Sequence, residues 1–279
     1  MPIDLVLVRH CASIGNEAYE KSKQGDHSHY TPEFRLLPNW AWPLSETGRN
    51  QAQATGAWLR DHFTGFSGYY CSPYVRTSET AGLLGLPGAC WEPDNLLRER
   101  FWGEADFRVP ENERWDAFRQ ELAGRWHDPA YWRPPGGESL ADVELRVEHF
   151  LEKVHRSWPN GSALVVTHRD SMLAFGSRVA PRPLTEWRKA LLSKDPIDQI
   201  HNGQVVHYSR RNPETSEVNI RFGWVRSVCP WDQSRSSNEW RRIRSTNLAN
   251  EELLAVAAAA HQHDWSGPQG EGRAVSGKA

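Results

Sequence analysis

The stretch IDLVLVRHCASIGN, residues 3–16, decides the fold of this 279-residue chain. Residues 3–8 form a mainly apolar run of strand length, with Pro2 before it and the polar pair Arg9-His10 after it. Such a run is typical of a strand that is buried on both faces of a sheet. We therefore expect Arg9 and His10 at the carboxyl end of a buried strand.

The same arrangement occurs a second time further along the chain. An apolar run over residues 163–167 ends in the polar pair Thr167-His168, and a helical stretch begins at Asp170. Further strands are predicted at 69–72, 204–208 and 218–228, the last two joined by a hairpin around Asn212-Pro213. Strands that alternate with helices predict the α/β class, here a layered α/β/α sandwich with a mostly parallel central sheet and a helical cap insertion.

Capping signals and apolar spacing predict the helices between these strands. Ser45 has the character of an N-cap, Pro73 suits the start of a helix that runs to about residue 84, and Ser139 with Asp142 resembles a capping box. The clearest helical stripe follows that box and consists of Leu140, Val143, Val147, Phe150, Leu151 and Val154.

Two segments interrupt this pattern. Residues 17–43 show no clean periodicity, and we expect a long loop of the kind that serves as a lid or binding element. Residues 101–135 are expected to form the cap insertion, with one helix over 111–126 and a Pro- and Gly-rich break behind it.

The predicted domain covers residues 1–248 and includes both segments. Residues 249–279 are predicted to add a short helix capped by Asn250 and then a Gly-rich tail, which is expected to be disordered from about residue 266.

Composition excludes several classes of function. Lys and Arg number 33 and Asp and Glu number 35, which leaves a formal charge of −2, so nucleic acid is not an expected partner. The mean hydropathy is −0.69, and without a run of about 18 apolar residues no membrane contact is expected. The opening MPIDLVLVRH lacks the features of a secretory signal, so we expect a cytoplasmic protein.

The sequence predicts neither a metal site nor a cofactor. The four cysteines lack CxxC spacing and are expected to be reduced thiols: Cys11, Cys71, Cys90 and Cys229. Two His-x-His pairs, at 27–29 and 261–263, have the spacing of metal ligands, but no Cys or acidic cluster accompanies them. We therefore expect these histidines to lie at the surface.

Four side chains at or near the carboxyl ends of predicted strands indicate an anion site. They are Arg9, His10, Arg76 and His168, and ligands of open α/β sheets bind at this edge. Arginine offers forked donors that match phosphate oxygens, and a neutral imidazole is a competent nucleophile toward phosphorus. Phosphate is therefore the expected guest, while the pattern alone does not decide which histidine attacks.

With these residues, the sequence resembles the histidine phosphatase superfamily, also called the phosphoglycerate mutase-like fold. The resemblance spans roughly residues 3–210 and rests on motifs in the family's order: LVLVRHCASIGN at 5–16, LSETGRNQAQATGAWL at 44–59, CSPYVRTSETA at 71–81, LRERFWGE at 97–104, GGESLADVELRV at 136–147 and VVTHRDSM at 165–172.

This resemblance implies a role for each matched residue. His10 would be the nucleophile that becomes phosphorylated, and Arg9, Arg76 and His168 would line the phosphate pocket as part of the catalytic set. Asn16 matches a further phosphate contact of the first motif.

For the proton donor and for one substrate contact, the resemblance leaves alternatives open. Glu99 is the best match to the family's acid, with Glu104 and Asp106 as alternatives, and Arg169 is either a substrate contact or a solvated charge. The sequence also departs from the family's RHG motif, because Cys11 stands where glycine is usual. Cys11 is either a reactive thiol or, as we expect, a small packed side chain.

Together these features predict an acid phosphatase-type phosphomonoesterase. It would be independent of metals and would hydrolyse a small phosphorylated metabolite through a phosphohistidine intermediate. Two alternatives stay open: a mutase that returns the phosphoryl group to a second position, and a phospho-ligand binding module with a degenerate active site. The sequence leaves open the leaving group and whether the chain forms a homo-oligomer.

Overall fold

The computed structural model describes residues 1–125, 128–180, 193, 199–243 and 247–261. Within them the α-helices are α1 (Ile14–Lys23), α2 (Pro32–Leu36), α3 (Glu46–His62), α4 (Val75–Leu83), α5 (Glu111–Ala117), α6 (Arg119–Gly124), α7 (Leu140–Ser157), α8 (Arg169–Val179) and α9 (Asn250–His261). The strands are β1 (Asp4–Arg9), β2 (Gly68–Cys71), β3 (Trp91–Pro93), β4 (Ser162–Thr167), β5 (Val205–Ser209), β6 (Trp224–Val228) and β7 (Arg241–Arg242).

The described strands form one sheet in the order β3-β2-β4-β1-β5-β6-β7. Strands β1 to β4 pair in parallel, and β5, β6 and β7 continue the sheet with antiparallel ladders. The predicted fold class, a mixed α/β sandwich with a mostly parallel sheet, is confirmed.

Alternation along the central strands divides the core into two layers, because successive side chains of a strand point to opposite faces. Leu5 and Leu7 of β1 pack in a cluster that includes Val147 and Phe150 of α7, whereas Val6 and Val8 pack in the cluster that contains Leu59 of α3. Helices α7 and α8 cover one face and α3 and α4 the other, so β1 and β4 are buried on both sides, as predicted.

The capping predictions hold at two helices. The Ser45 side chain accepts a hydrogen bond from the Gly48 N–H at the start of α3, and Ser139 forms a full capping box with Asp142 at the start of α7. Both devices satisfy N–H groups that the first turn of a helix leaves without a partner.

The expectation of a loop over 17–43 is wrong, since α1 and α2 occupy much of it. Helix α1 begins after Ser13, which forms a capping box with Asn16. Its buried positions, Gly15, Ala18 and Ser22, follow helical spacing. These side chains are small or polar, so they leave almost no apolar periodicity to detect.

Three further boundaries differ from the predictions. The helix expected over 111–126 is two helices separated by Phe118, whose backbone is not helical, and residue 126 lies outside the described residues. The strand expected from residue 218 starts at Trp224, because Val218 pairs only through an isolated bridge to Arg211. Asn250 was expected to cap α9, but it is the first residue of that helix. The hydrogen bond at this end runs from the Ala249 N–H to the Glu252 carboxylate.

The tail predicted to be disordered from about residue 266 lies outside the described residues. In the part of the chain that is described, no helix is long and apolar enough to cross a membrane. The division at residue 248 stays a prediction.

Candidate active site

Polar residues directly follow three neighbouring strands at one edge of the sheet. His10 follows β1, His168 follows β4 and Ser72 follows β2, and β4 pairs with both of the other strands. Arg76 lies in the first turn of α4, directly behind β2. The topology thus places together the four residues that the sequence assigned to an anion site.

The His10 ring is held in one tautomer. Its Nδ1 lies 2.8 Å from the Cys11 carbonyl oxygen, which can only accept, so Nδ1 carries the proton. Its Nε2 accepts a hydrogen bond of 3.2 Å from Nε of Arg76. Burial, and then the charges of Arg76 and Arg9, hold the pKa of His10 well below its usual value. The imidazole is therefore neutral near pH 7, with its free electron pair on Nε2.

His168 lies beside His10, with 5.1 Å between the ring centroids. Its Nδ1 accepts from Nη2 of Arg76 at 3.3 Å, and its Nε2 donates to Oγ of Ser72 at 2.9 Å. Burial and the Arg76 charge also lower the pKa of His168 well below the usual value. Arg76 therefore touches both imidazoles and fixes how they are oriented.

Arg76 itself is buried and donates hydrogen bonds from each of its three side-chain nitrogens. Its Nη1 donates to the Asn39 carbonyl oxygen at 2.7 Å and to Asn39 Oδ1 at 3.2 Å, and its guanidinium lies 4.8 Å from the Tyr74 ring centroid. Burial lowers the pKa of Arg76 to about 10, which still leaves the guanidinium charged near neutral pH.

Arg9 brings a second guanidinium to the same edge. Its Nη1 donates to the Ile200 carbonyl oxygen at 2.7 Å, while its buried Nε has no hydrogen-bond partner among the described residues. Burial, and next the nearby charge of Arg169, lower the pKa of Arg9 to about 10. A buried donor without a partner is costly, and an anion would satisfy it.

Glu99 is the described acidic side chain that lies closest to His168. Its Oε2 lies 3.9 Å from His168 Nδ1, and its Oε1 accepts from the Arg100 N–H at 2.9 Å. Burial, reinforced by the negative charge of Asp170, raises the pKa of Glu99 to about 7. A carboxyl with this pKa can hold a proton near neutral pH and release it to a leaving oxygen.

The two alternative acids are placed differently. Glu104 is exposed on a 3-10 turn (Gly103–Ala105). Asp106 accepts from Asn39 Nδ2 at 3.3 Å and faces Arg108 Nε at 3.4 Å. Geometry therefore favours Glu99 as the acid, while Asp106 supports Arg76 through Asn39 and through its own negative charge.

Asn16 has a structural role in addition to any contact with a ligand. Its Oδ1 accepts from the Ser13 N–H at 3.1 Å and from Asn202 Nδ2 at 3.2 Å. Arg169 is the first residue of α8, directly after His168, and its side chain is 37% exposed. It can therefore reach a ligand at the rim of the site.

Four residues of this site were missed in the sequence. Ser72 and Tyr74 lie inside a quoted motif without a distinctive pattern, and Asn39 lies in the segment expected to be a loop. Asn202 donates to the His10 carbonyl oxygen at 3.0 Å. It precedes β5, whose antiparallel direction brings that strand's amino end to the site, and only the topology reveals this.

Cys11 is a packed side chain rather than an exposed thiol. It is fully buried in a small cluster with Leu44 and Ala52, and its N–H donates to Thr80 Oγ1 at 3.0 Å. Burial raises the pKa of the thiol to about 12, so the reactive thiolate is scarce near neutral pH.

Glu138 supports the segment that carries Glu99. Its carboxylate accepts from Arg98 Nη2 at 2.5 Å, from Arg146 Nε at 3.2 Å and from the Phe101 N–H at 2.9 Å. Glu99 lies between Arg98 and Phe101, which both bind Glu138. The position of Glu99 therefore depends on α7 and on the N-terminal turn of that helix.

A search of the described residues finds no group of three or more His, Cys, Asp or Glu side chains that could hold a metal ion. Of the two His-x-His pairs, His29 contacts Lys21 Nζ through Nε2 at 2.7 Å. Residue 263 lies outside the described residues.

Comparison with known proteins agrees with this arrangement. Residues 5–203 match the sequence profile of the histidine phosphatase superfamily (branch 1). A phosphoglycerate mutase-like protein of Arabidopsis thaliana is 31% identical in an alignment of 179 positions that covers 56% of this chain and 54% of that protein. A 2,3-bisphosphoglycerate-dependent phosphoglycerate mutase of Gloeobacter violaceus is 30% identical over 61% of this chain and 73% of that protein.

Phosphatases also occur among the similar proteins. A fructose-2,6-bisphosphatase of Danio rerio is 36% identical in an alignment of 130 positions that covers 44% of this chain and 48% of that protein. The chain thus spans about half the length of the Arabidopsis and Danio proteins. The crystal structure of a mycobacterial glucosyl-3-phosphoglycerate phosphatase superposes with a TM-score of 0.56 at 24% identity, over 74% of this chain and 92% of that chain, which shows a shared fold.

Proposed function

The chain belongs to the histidine phosphatase superfamily (branch 1), and we propose that it is a phosphatase that hydrolyses a small phosphomonoester through a phosphohistidine on His10. One observation carries this proposal: the Cys11 carbonyl oxygen fixes the proton of His10 on Nδ1, so the lone pair of Nε2 faces Arg76 and accepts its hydrogen bond. A neutral, oriented imidazole beside a buried guanidinium has the properties of a nucleophile in a phosphate pocket.

In the first half-reaction, His10 Nε2 forms a bond to phosphorus as the ester P–O bond breaks. Arg9 and Arg76 balance the charge on the equatorial oxygens, which is the main demand of phosphoryl transfer. Protonated Glu99 gives its proton to the leaving oxygen, so an alcohol departs instead of an alkoxide.

In the second half-reaction, a water oxygen attacks phosphorus as the Nε2–P bond breaks. Glu99, now a carboxylate, accepts the proton of that water, and inorganic phosphate leaves. The raised pKa of Glu99, about 7, suits both directions of proton transfer. His168 is a positioning residue here, since it links Arg76 to Ser72 and holds the guanidinium toward His10.

A mutase is the second candidate, and the observation that favours it is the 30% identity to the mutase of Gloeobacter violaceus. The same phosphohistidine would then return its phosphoryl group to another oxygen of the substrate. A binding module with a degenerate site is less well supported, because Arg9, His10, Arg76, Glu99 and His168 all occupy one edge of the sheet.

Trapping of the intermediate tests the proposal. The enzyme is incubated with a ³²P-labelled phosphomonoester, quenched in alkali and digested, and we expect acid-labile, base-stable label on the peptide that contains residue 10. His10→Ala should abolish the label, whereas His149→Ala, on the exposed side of α7, should retain it. Label that persists in a folded His10→Ala variant would refute the assignment.

A further inference from the structure

A second group of basic side chains lies at the rim of the phosphate pocket. The segment over residues 200–203 passes directly over Arg9 and His10: the Ile200 carbonyl oxygen accepts from Arg9, Asn202 Nδ2 donates to the His10 carbonyl oxygen, and the Gly203 N–H donates to the Arg9 carbonyl oxygen at 3.1 Å. His201 lies between these anchored residues, so its backbone is held close to the site.

Three contacts hold Arg235, and one of them is with His201. Its Nη1 donates to His201 Nδ1 at 3.2 Å, its Nε lies 2.8 Å from Asp232 Oδ2, and its guanidinium lies 5.2 Å from the Trp231 ring centroid. Trp231 is itself fixed, because its Nε1 donates to the Asn202 carbonyl oxygen at 2.7 Å. The guanidinium is therefore ordered before any ligand arrives, which lowers the entropic cost of binding.

Two hydrogen-bond donors of the His201–Arg235 pair remain available to a ligand. Arginine can only donate, so His201 Nδ1 is the acceptor and its Nε2 carries the proton. Within the described residues, neither His201 Nε2 nor Arg235 Nη2 has a hydrogen-bond partner. Both side chains are partly solvent-accessible, so a ligand can reach them.

The charge around His201 is mainly positive. After burial, the charges of Arg235, Arg9 and Arg169 lower the pKa of His201, while only Asp232 acts in the opposite direction. Asp232 is already paired with Arg235, and Arg169 faces Asp170 at the longer distance of 3.4 Å. The positive charges near His201 would attract an anion bound here.

We propose that Arg169, His201 and Arg235 form a second anion subsite beside the phosphate pocket, which selects phosphomonoesters that carry another negative group, either a carboxylate or a second phosphate. This subsite rests on the proposed function, since the pocket of Arg9, His10 and Arg76 must hold the scissile phosphate. Arg235 lies beyond residue 203, where the match to the superfamily ends, so the subsite uses a part of the chain outside that match.

Two matched pairs of compounds test the subsite. 3-Phosphoglycerate differs from glycerol 3-phosphate by a carboxylate in place of a hydroxymethyl group, and fructose 1,6-bisphosphate differs from fructose 6-phosphate by a second phosphate. We measure kcat and KM for each compound with the wild type, Arg235→Ala and Arg235→Lys. Arg156→Ala, an exposed arginine at the far end of α7, removes the same charge as a control.

Arg235→Ala should lower the preference for the more anionic member of at least one pair roughly tenfold, mainly through KM, because a charge-assisted hydrogen bond is lost. Arg235→Lys should restore part of that preference, and Arg156→Ala should change neither member. The pair that responds identifies the anion as carboxylate or phosphate. An equal loss on both members, or no loss on either, would overturn the subsite.

Failure of the subsite is distinguishable from failure of the proposed function. The wild type should hydrolyse p-nitrophenyl phosphate and form the phosphohistidine whether or not the subsite exists, because neither needs a second anion. Isothermal titration of 3-phosphoglycerate and glycerol 3-phosphate into His10→Ala, which lacks the nucleophile, reports binding independently of turnover. Equal affinity for these two, and equal affinity for the two fructose phosphates, would refute the subsite alone when the wild type forms the phosphohistidine.

Discussion

Two residues of the site have pKa values displaced in opposite directions by their surroundings. Burial and two guanidiniums lower the pKa of His10, which keeps a base neutral, whereas partial burial and Asp170 raise that of Glu99 to about 7, which lets an acid hold a proton near neutral pH. Pairs of groups displaced in this way are typical of acid and base partners in catalysis.

Glu99→Gln separates the role of the acid from the rest of the site. We expect kcat/KM for an alkyl phosphate to fall about 10²- to 10⁴-fold, because the leaving alkoxide then lacks its proton donor. p-Nitrophenyl phosphate should lose much less, since its leaving group is stable without a proton. Glu104→Gln, a change at an exposed side chain, serves as the control, and equal losses on both esters would move the role away from Glu99.

The pH dependence of activity in the wild type and in Glu99→Gln gives a second test of the proton donor. A group with a raised pKa is protonated below that value, so the alkyl phosphatase activity of the wild type should decline as pH rises through about 7. His10 should add no inflection near its ordinary value, because its pKa is lowered well below it. This alkaline decline should disappear in Glu99→Gln, and its persistence would assign it to another group.

At the residue scale, the sequence predicted the side chains that follow strands, because a polar pair after an apolar run is visible without any tertiary information. It did not predict Asn39 or Asn202. Their contacts with Arg76 and with the His10 carbonyl oxygen depend on chain segments that meet only in the folded protein. Such contacts leave no periodic signal.

At the scale of elements, the sequence predicted a helix correctly where that helix buries a continuous stripe of apolar side chains. Helix α7 buries Val143, Val147, Phe150 and Val154, and its capping box lies where the sequence placed it. Helix α1 has an equally complete capping box but buries small or polar side chains, and it was missed. A capping box alone indicates only where a helix could begin, whereas a buried apolar stripe indicates that the helix forms.

Glu138, at the entry to α7, should couple this helix to the stability of the site. Glu138→Ala would leave the guanidinium of Arg146, whose side chain is only 7% exposed, without its carboxylate partner. Removing one member of a buried ion pair costs about 3–5 kcal/mol, and partial exposure of Glu138 places the expected loss in unfolding free energy nearer the lower value. Urea denaturation measures it.

Glu152→Ala is the matched control for that change, because Glu152 is exposed on the same helix and lies 3.9 Å from Arg156. Surface pairs contribute about 0–1 kcal/mol, so this variant should unfold close to the wild type. If the two variants lose similar stability, Glu138 does not support the segment that carries Glu99.

At the scale of the whole molecule, the question is what receives the phosphoryl group. A mutase must retain a released monophosphate and keep water from the phosphohistidine, which requires a sealed pocket. Here Arg169 directly follows His168, and its side chain is 37% exposed. This exposure indicates a rim that admits water.

We therefore expect hydrolysis rather than isomerisation. With 3-phosphoglycerate, ³¹P spectra should show inorganic phosphate accumulating in step with loss of the ester, and an added bisphosphate primer should not be required for turnover. His10→Ala provides the baseline, since both reactions need the phosphohistidine. If 2-phosphoglycerate exceeds inorganic phosphate and turnover depends on the primer, the exposed rim must close around the intermediate, and the activity is that of a mutase.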